Sequence, residues 1–158
     1  MMAALICTPP TAHADCGDAG QPLCDGPVPT TDQVVGIMDA LTNDAVSAAD
    51  KANIVTPGFS PDEVGNIDDQ LRRLHEGGGC GSYLPARFIV TDIRPAPNNS
   101  AVATVAVPKG RRSTPPGPIV LVEQDGHWKI THDTATTALD AFWYNATRPI
   151  MHGRSMSC

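Results

Sequence analysis

The run Arg87-Phe88-Ile89-Val90-Thr91-Asp92-Ile93-Arg94 is followed by Pro95-Ala96-Pro97-Asn98-Asn99 and then by Ala101-Val102-Ala103-Thr104-Val105-Ala106-Val107. Both flanking runs are rich in β-branched residues, whose stiff side chains suit a pleated surface, and the segment between them is made of turn formers. Two shorter runs, 119–123 and 127–131, enclose Gln124-Asp125-Gly126. Asp-Gly supplies the positive φ values of a tight hairpin turn. The spacing predicts an antiparallel meander.

Upstream the period is helical. Thr30 or Thr31 can cap a helix over 32–43, with Val34, Ile37, Met38 and Leu41 on one stripe. Residues 44–54 carry a second helical pattern, with Val46, Ala49 and Ala52 as its small apolar positions and Pro57-Gly58 as its stop. The third start is the clearest. Ser60 caps, Pro61 takes the first helical position with φ already set, and Glu63 completes a capping box. Val64, Ile67, Leu71 and Leu74 follow at spacings of three and four, and Gly77-Gly78-Gly79 ends the helix. A last helix is expected from about Thr134, with Ala135, Leu139, Phe142 and Trp143 facing inward. Trp128 shares a strand face with Ile130 and reads as a core anchor. The expected class is α+β: N-terminal helices packed on a curved antiparallel sheet of about four strands, then a C-terminal helix.

A chain of 158 residues fits one domain. Residues 31–145 are expected to form it, after a Pro/Gly/Cys-rich arm over 15–30 and before an irregular tail over 146–158 that ends on Cys158. Residues 1–14 read as the remnant of a secretion signal, because Ala12-His13-Ala14 is a small-x-small cleavage signature behind a short apolar run. No Lys or Arg precedes residue 51, so the basic region that opens such signals is expected upstream of Met1. The competing reading is a disordered cytosolic tail with a chance match. Asp15 speaks against lipidation at Cys16. Cleavage after Ala14 discards Cys7 and leaves Cys16, Cys24, Cys80 and Cys158, an even set that reads as disulfides in an oxidising compartment. We expect Cys16–Cys24, which closes a short loop, and Cys80–Cys158, with Cys24–Cys80 as the main rival.

A net charge of −6 argues against a nucleic-acid partner, and no apolar run approaches the ~20 residues of a membrane span. The basic cluster Lys109-Gly110-Arg111-Arg112 reads as a solvated hairpin loop. No cofactor signature is present: Gly77-Gly78-Gly79 follows a helix, whereas phosphate cradles precede one. No metal is expected either. His127 and His132 are placed on opposite strand faces, and His75 suits a helix C-terminus. Ser82 lacks a nearby base, and Cys80 reads as half of a disulfide rather than a nucleophile. Asp92 is the one mid-strand carboxylate. Alternation places it with Phe88 and Val90, where burial would raise its pKa and make it a general base. The simpler expectation is an Asp92 near the strand end, close to water or paired with Arg94 or Arg87.

The runs at 49–55 (ADKANIV), 88–95 (FIVTDIRP) and 126–131 (GHWKIT), with Ala135 and Leu139 behind them, resemble the low-molecular-weight secreted antigen family of mycobacteria. The similarity covers roughly 31–142. It implies an exported protein with a cone-shaped domain similar to the nuclear transport factor 2-like fold, and it implies no chemistry. The chain departs from the family pattern in the cysteine-bearing arm, the 77–82 segment with Cys80, and the tail ending at Cys158. Folds of this kind offer a concave sheet face, so the expected function is non-enzymatic binding of a small apolar ligand or a protein partner there. The alternative is an isomerase- or hydrolase-like enzyme using Asp92. Whether Asp92 lines an enclosed pocket separates the two.

Overall fold

A computed structural model describes residues 24–77, 81–108 and 114–151. The chain enters through α1 (Thr31–Leu41), whose start is fixed by a reciprocal cap. The Thr30 hydroxyl accepts from Gln33 N at 3.2 Å, and the Gln33 side chain accepts from Thr30 N at 2.8 Å. The expected stripe of Val34, Ile37, Met38 and Leu41 is the buried one. The second helical pattern resolves differently. A 3-10 helix covers only Ala48–Asn53, and Val46 is 39% exposed. The reason is local competition for backbone donors. The Asn43 side chain takes the Ala45 N–H, and Asp68 of the next helix takes the Ala48 N–H at 2.7 Å and the Ser47 hydroxyl at 2.7 Å. What turns inward there is Lys51, not Val46.

Helix α2 (Pro61–Glu76) matches its sequence signals at both ends. Ser60 N and Oγ both donate to Glu63, at 2.8 and 2.6 Å. Gly77 closes the helix at φ +64°, and a Cβ there would lie 2.0 Å from the Gly81 carbonyl oxygen. Only glycine fits that corner.

The sheet has five strands in the order β1-β5-β4-β3-β2. The four expected are β2 (Ile89–Ala96), β3 (Ser100–Ala106), β4 (Gly117–Gln124) and β5 (His127–Thr131), joined antiparallel. The fifth, β1 (Val55–Thr56), pairs parallel to β5, so the sheet is mixed. Two residues carry no readable alternation, which is why β1 escapes a sequence reading. Asp125 and Gly126 both have positive φ in the β4–β5 turn, as do Asn98 and Asn99 between β2 and β3. Strand β2 continues through Pro95 to Ala96, beyond the expected end at Arg94. An edge strand tolerates proline because the missing N–H has no ladder to complete.

Register assigns the faces. Val55, Ile130, Leu121 and Ala101 lie in one row across the sheet, Ile119, Ala103 and Ile93 in the next, and Val105 beside Val90 in a third. These rows meet Leu41, Leu71, Leu74, Leu139 and Phe142 from the helices, so the helices cover one face. Trp128 packs against this core from a half-buried position. Helix α3 (His132–Met151) starts earlier than the expected Thr134 and continues past residue 145, where an irregular tail was expected. Cys24 is disulfide-bonded. Cys16, Cys80 and Cys158 lie outside the described residues, as do the remnant signal and the 109–112 basic cluster, so the pairings expected for them lie there too. Among the described residues no helix is long and apolar enough to cross a membrane.

Candidate functional site

Helix α3 presents Thr134, Thr137, Ala138 and Ala141 at spacings of three and four, a strip of small side chains beside the buried stripe that carries the bulkier Leu139 and Phe142. Small residues there leave the space between the helix and the sheet unfilled. Across from them the β3–β4 pair ends at Val105 and Gly117, and a Cβ built on Gly117 would meet nothing within 4 Å. The result is a cavity of about 170 Å³ between α1, α3 and the loop end of the β3–β4 hairpin. Met38, Leu41, Phe88, Val105, Ala138 and Phe142 form its main walls. Phe88 and Phe142 meet as tilted rings with centroids 6.4 Å apart. No carboxylate, imidazole, amine or thiol lines the cavity among the described residues. Such a lining attracts apolar groups, and its described part offers no acid or base with which to move a proton.

Asp92 is elsewhere. Strand β2 carries a bulge between Val90 and Asp92, so Val90 pairs with Val105 and Asp92 with Thr104. One extra residue inverts the alternation beyond it. Ile93 therefore joins Val90 on the helix-covered side, and Asp92 falls on the opposite face, correcting the placement expected from simple alternation. Its Oδ2 accepts from Arg94 Nε at 2.6 Å, and its side chain is 42% exposed. The carboxylate is not among the groups lining the cavity.

Among the described residues the histidines are engaged singly. His75 Nδ1 lies 3.0 Å from Asp44 Oδ2, and His127 Nδ1 lies 2.9 Å from the Asp125 carbonyl oxygen. His132 opens α3 instead of ending a strand. Its Nε2 reaches both Glu63 carboxylate oxygens at 2.9 and 3.0 Å, its Nδ1 lies 3.2 Å from Asp133 Oδ1, and Phe59 stacks against it at 5.8 Å. The Glu63 carboxylate beside the ring, with help from Asp133, raises the His132 pKa. Hydrogen bonds from Ser60, then from His132, hold the Glu63 pKa down at about 2. This pair joins the first turns of α2 and α3 and was not foreseen from the sequence, since 69 positions separate its members. Among the described residues no group of three or more His, Cys, Asp or Glu side chains is placed to hold a metal ion.

The fold and the site define an α+β domain with a cavity that, among the described residues, is lined mainly by apolar side chains. The profile described as "Low molecular weight antigen MTB12, C-terminal domain" matches residues 27–145, and the chain belongs to that family. It is 32% identical over 114 residues to the low molecular weight antigen MTB12 of Mycobacterium bovis, and likewise to that of Mycobacterium tuberculosis. Those matches cover 72% of this chain and 66% of each relative. A homolog from Mycobacterium leprae is 27% identical over 138 residues, covering 84% of this chain and 80% of the relative. The names given to these relatives describe antigens.

Proposed function

We propose that this chain is a secreted or cell-envelope protein, non-enzymatic, that holds a small apolar ligand in the cavity between α1, α3 and the β3–β4 hairpin. The observation that carries this reading is the lining: an apolar cavity of about 170 Å³ whose described walls contain no titratable side chain. Dry apolar cavities of ~150 Å³ take up benzene-sized molecules. The packing of helices on one face of the sheet supports a further reading as a nuclear transport factor 2-like cone. The antigen names of the relatives support an exposed location, to which cleavage after Ala14 and the pairings Cys16–Cys24 and Cys80–Cys158 belong.

Native mass spectrometry of the protein collected from culture medium tests this directly. The expected spectrum shows an N-terminus at Asp15, oxidised cysteines and a bound apolar molecule released by organic solvent. A protein retained in the cells, or one that arrives empty and takes up no apolar probe, would overturn the reading.

A further inference from the structure

Four threonines line the cavity: Thr42, Thr114, Thr134 and Thr137. Three of their hydroxyls are occupied. Thr42 Oγ1 donates to the Met38 carbonyl oxygen at 2.9 Å, Thr137 Oγ1 donates to that of Asp133 at 2.7 Å, and Thr134 Oγ1 accepts from Thr131 Oγ1 at 2.7 Å. Thr114 differs. Its carbonyl oxygen accepts from Val107 N at 3.2 Å, extending the β3–β4 ladder and fixing the residue in place. Its hydroxyl is buried and has no hydrogen-bond partner.

Buried hydroxyls are nearly always paired, because the hydrogen bond lost to water is otherwise not replaced. From this we infer that the cavity takes an amphiphile with a hydrocarbon body and one neutral oxygen, a hydroxyl or a carbonyl, which hydrogen-bonds the Thr114 hydroxyl. The inference rests on the ligand-binding reading and narrows it to a chemical class. A hydroxyl both donates and accepts, so alcohols and ketones fit equally. A carboxylate fits less well, because among the described residues no cationic side chain lines the cavity to replace its water. Rotation about the single Cα–Cβ bond of Thr114 exchanges hydroxyl and methyl, so the oxygen can turn to meet a ligand without moving the main chain. The cavity volume limits the body to about one aromatic ring or a chain end of similar size.

Benzyl alcohol and ethylbenzene have the same shape and differ in a hydroxyl against a methyl. Calorimetric titration of both into wild type, Thr114→Val and Thr114→Ser separates body from head. In Thr114→Val, benzyl alcohol should weaken about tenfold relative to ethylbenzene, the worth of one buried hydrogen bond. Thr114→Ser should restore the wild-type ratio. Without ligand, Thr114→Val should melt no lower than wild type, since it removes a hydroxyl that has no partner. An unchanged ratio with ethylbenzene still binding would overturn this inference and leave the ligand-binding reading standing. A Thr114→Val variant that melts well below wild type would also overturn it, by showing the hydroxyl already satisfied. If neither compound binds wild type, the ligand-binding reading fails and this inference goes with it.

Discussion

Lys51 shows how far a single residue can depart from its type. It is 1% exposed and among the largest fully buried side chains of the described residues. Its Nζ donates to the carbonyl oxygens of Ala40 and Asn43, each at 2.8 Å. Those carbonyls belong to the end of α1 and the turn after it, where their backbone donors, Asn43 N to Ala40 O and Val46 N to Asn43 O, stand at a long 3.4 Å. Burial pushes the Lys51 pKa down, and the charges of Asp68 and Asp44 oppose that push. Replacing Lys51 by Met keeps the length and removes the donor. It should destabilise the protein by about 2–3 kcal/mol in urea denaturation, because two inward-facing carbonyls lose a charged partner. A loss below about 0.5 kcal/mol, the scale of a surface change, would show that water replaces the ammonium. A polar residue in a helical pattern reads as solvent-facing, so nothing in the local sequence marks Lys51 as core. Asp92 departs in the other direction. Simple alternation placed its carboxylate inward, whereas the simpler expectation had it near water or paired with an arginine; one bulge residue turns it outward, onto Arg94.

At the scale of elements, the Glu63–His132 contact ties the start of α2 to the start of α3. A cationic imidazole at a helix N-terminus opposes the dipole, so its charge must be held by the carboxylates on either side. Two titrations set the pH range. The His132 pKa is raised in the folded protein, so its contribution is complete below the ordinary value of 6.5 and is lost as pH rises through the raised value. The Glu63 pKa is lowered to about 2, so its contribution is complete above the ordinary value of 4.5 and is lost as pH falls toward 2. Both act together between those ordinary values. Melting temperatures of wild type and His132→Gln, measured from pH 3 to pH 9, should therefore differ most at about pH 5–6 and converge on either side. A difference independent of pH would mean that His132 acts only through packing against Phe59. The α2 signals hold because cap, first-turn charge, apolar stripe and terminal glycine all act within a few residues of one another.

For the whole molecule, the cavity is a gap left between three elements, and filling it tests its role without touching the rest of the fold. Ala138→Phe puts a ring into the space from the α3 side. Ethylbenzene binding should be lost while the far-UV circular dichroism stays that of wild type. The added ring should cost no more than the few kcal/mol typical of overpacking, since the space is already there. If Ala138→Phe binds ethylbenzene as wild type does, the ligand site lies outside this cavity. Binding that moves to the sheet's opposite face, with Asp92 and Arg94, would show up as sensitivity to Arg94→Ala instead.

The sequence by itself determined the elements whose causes are local. The caps at Thr30 and Ser60, the stop at Gly77, the Asp125-Gly126 turn and the β-branched strands each depend on neighbours in the chain, and so does the α+β class that follows from their order. Tertiary structure decided the rest. A two-residue strand exists only because β5 offers Val55 a partner 75 positions away at Ile130. The bulge that moved Asp92 is set by pairing with β3, and the burial of Lys51 by carbonyls of another element. The cavity is the furthest from the sequence. It is defined by side chains that are absent, at Gly117 and along the small face of α3, and empty space acquires a shape only once all its walls are assembled.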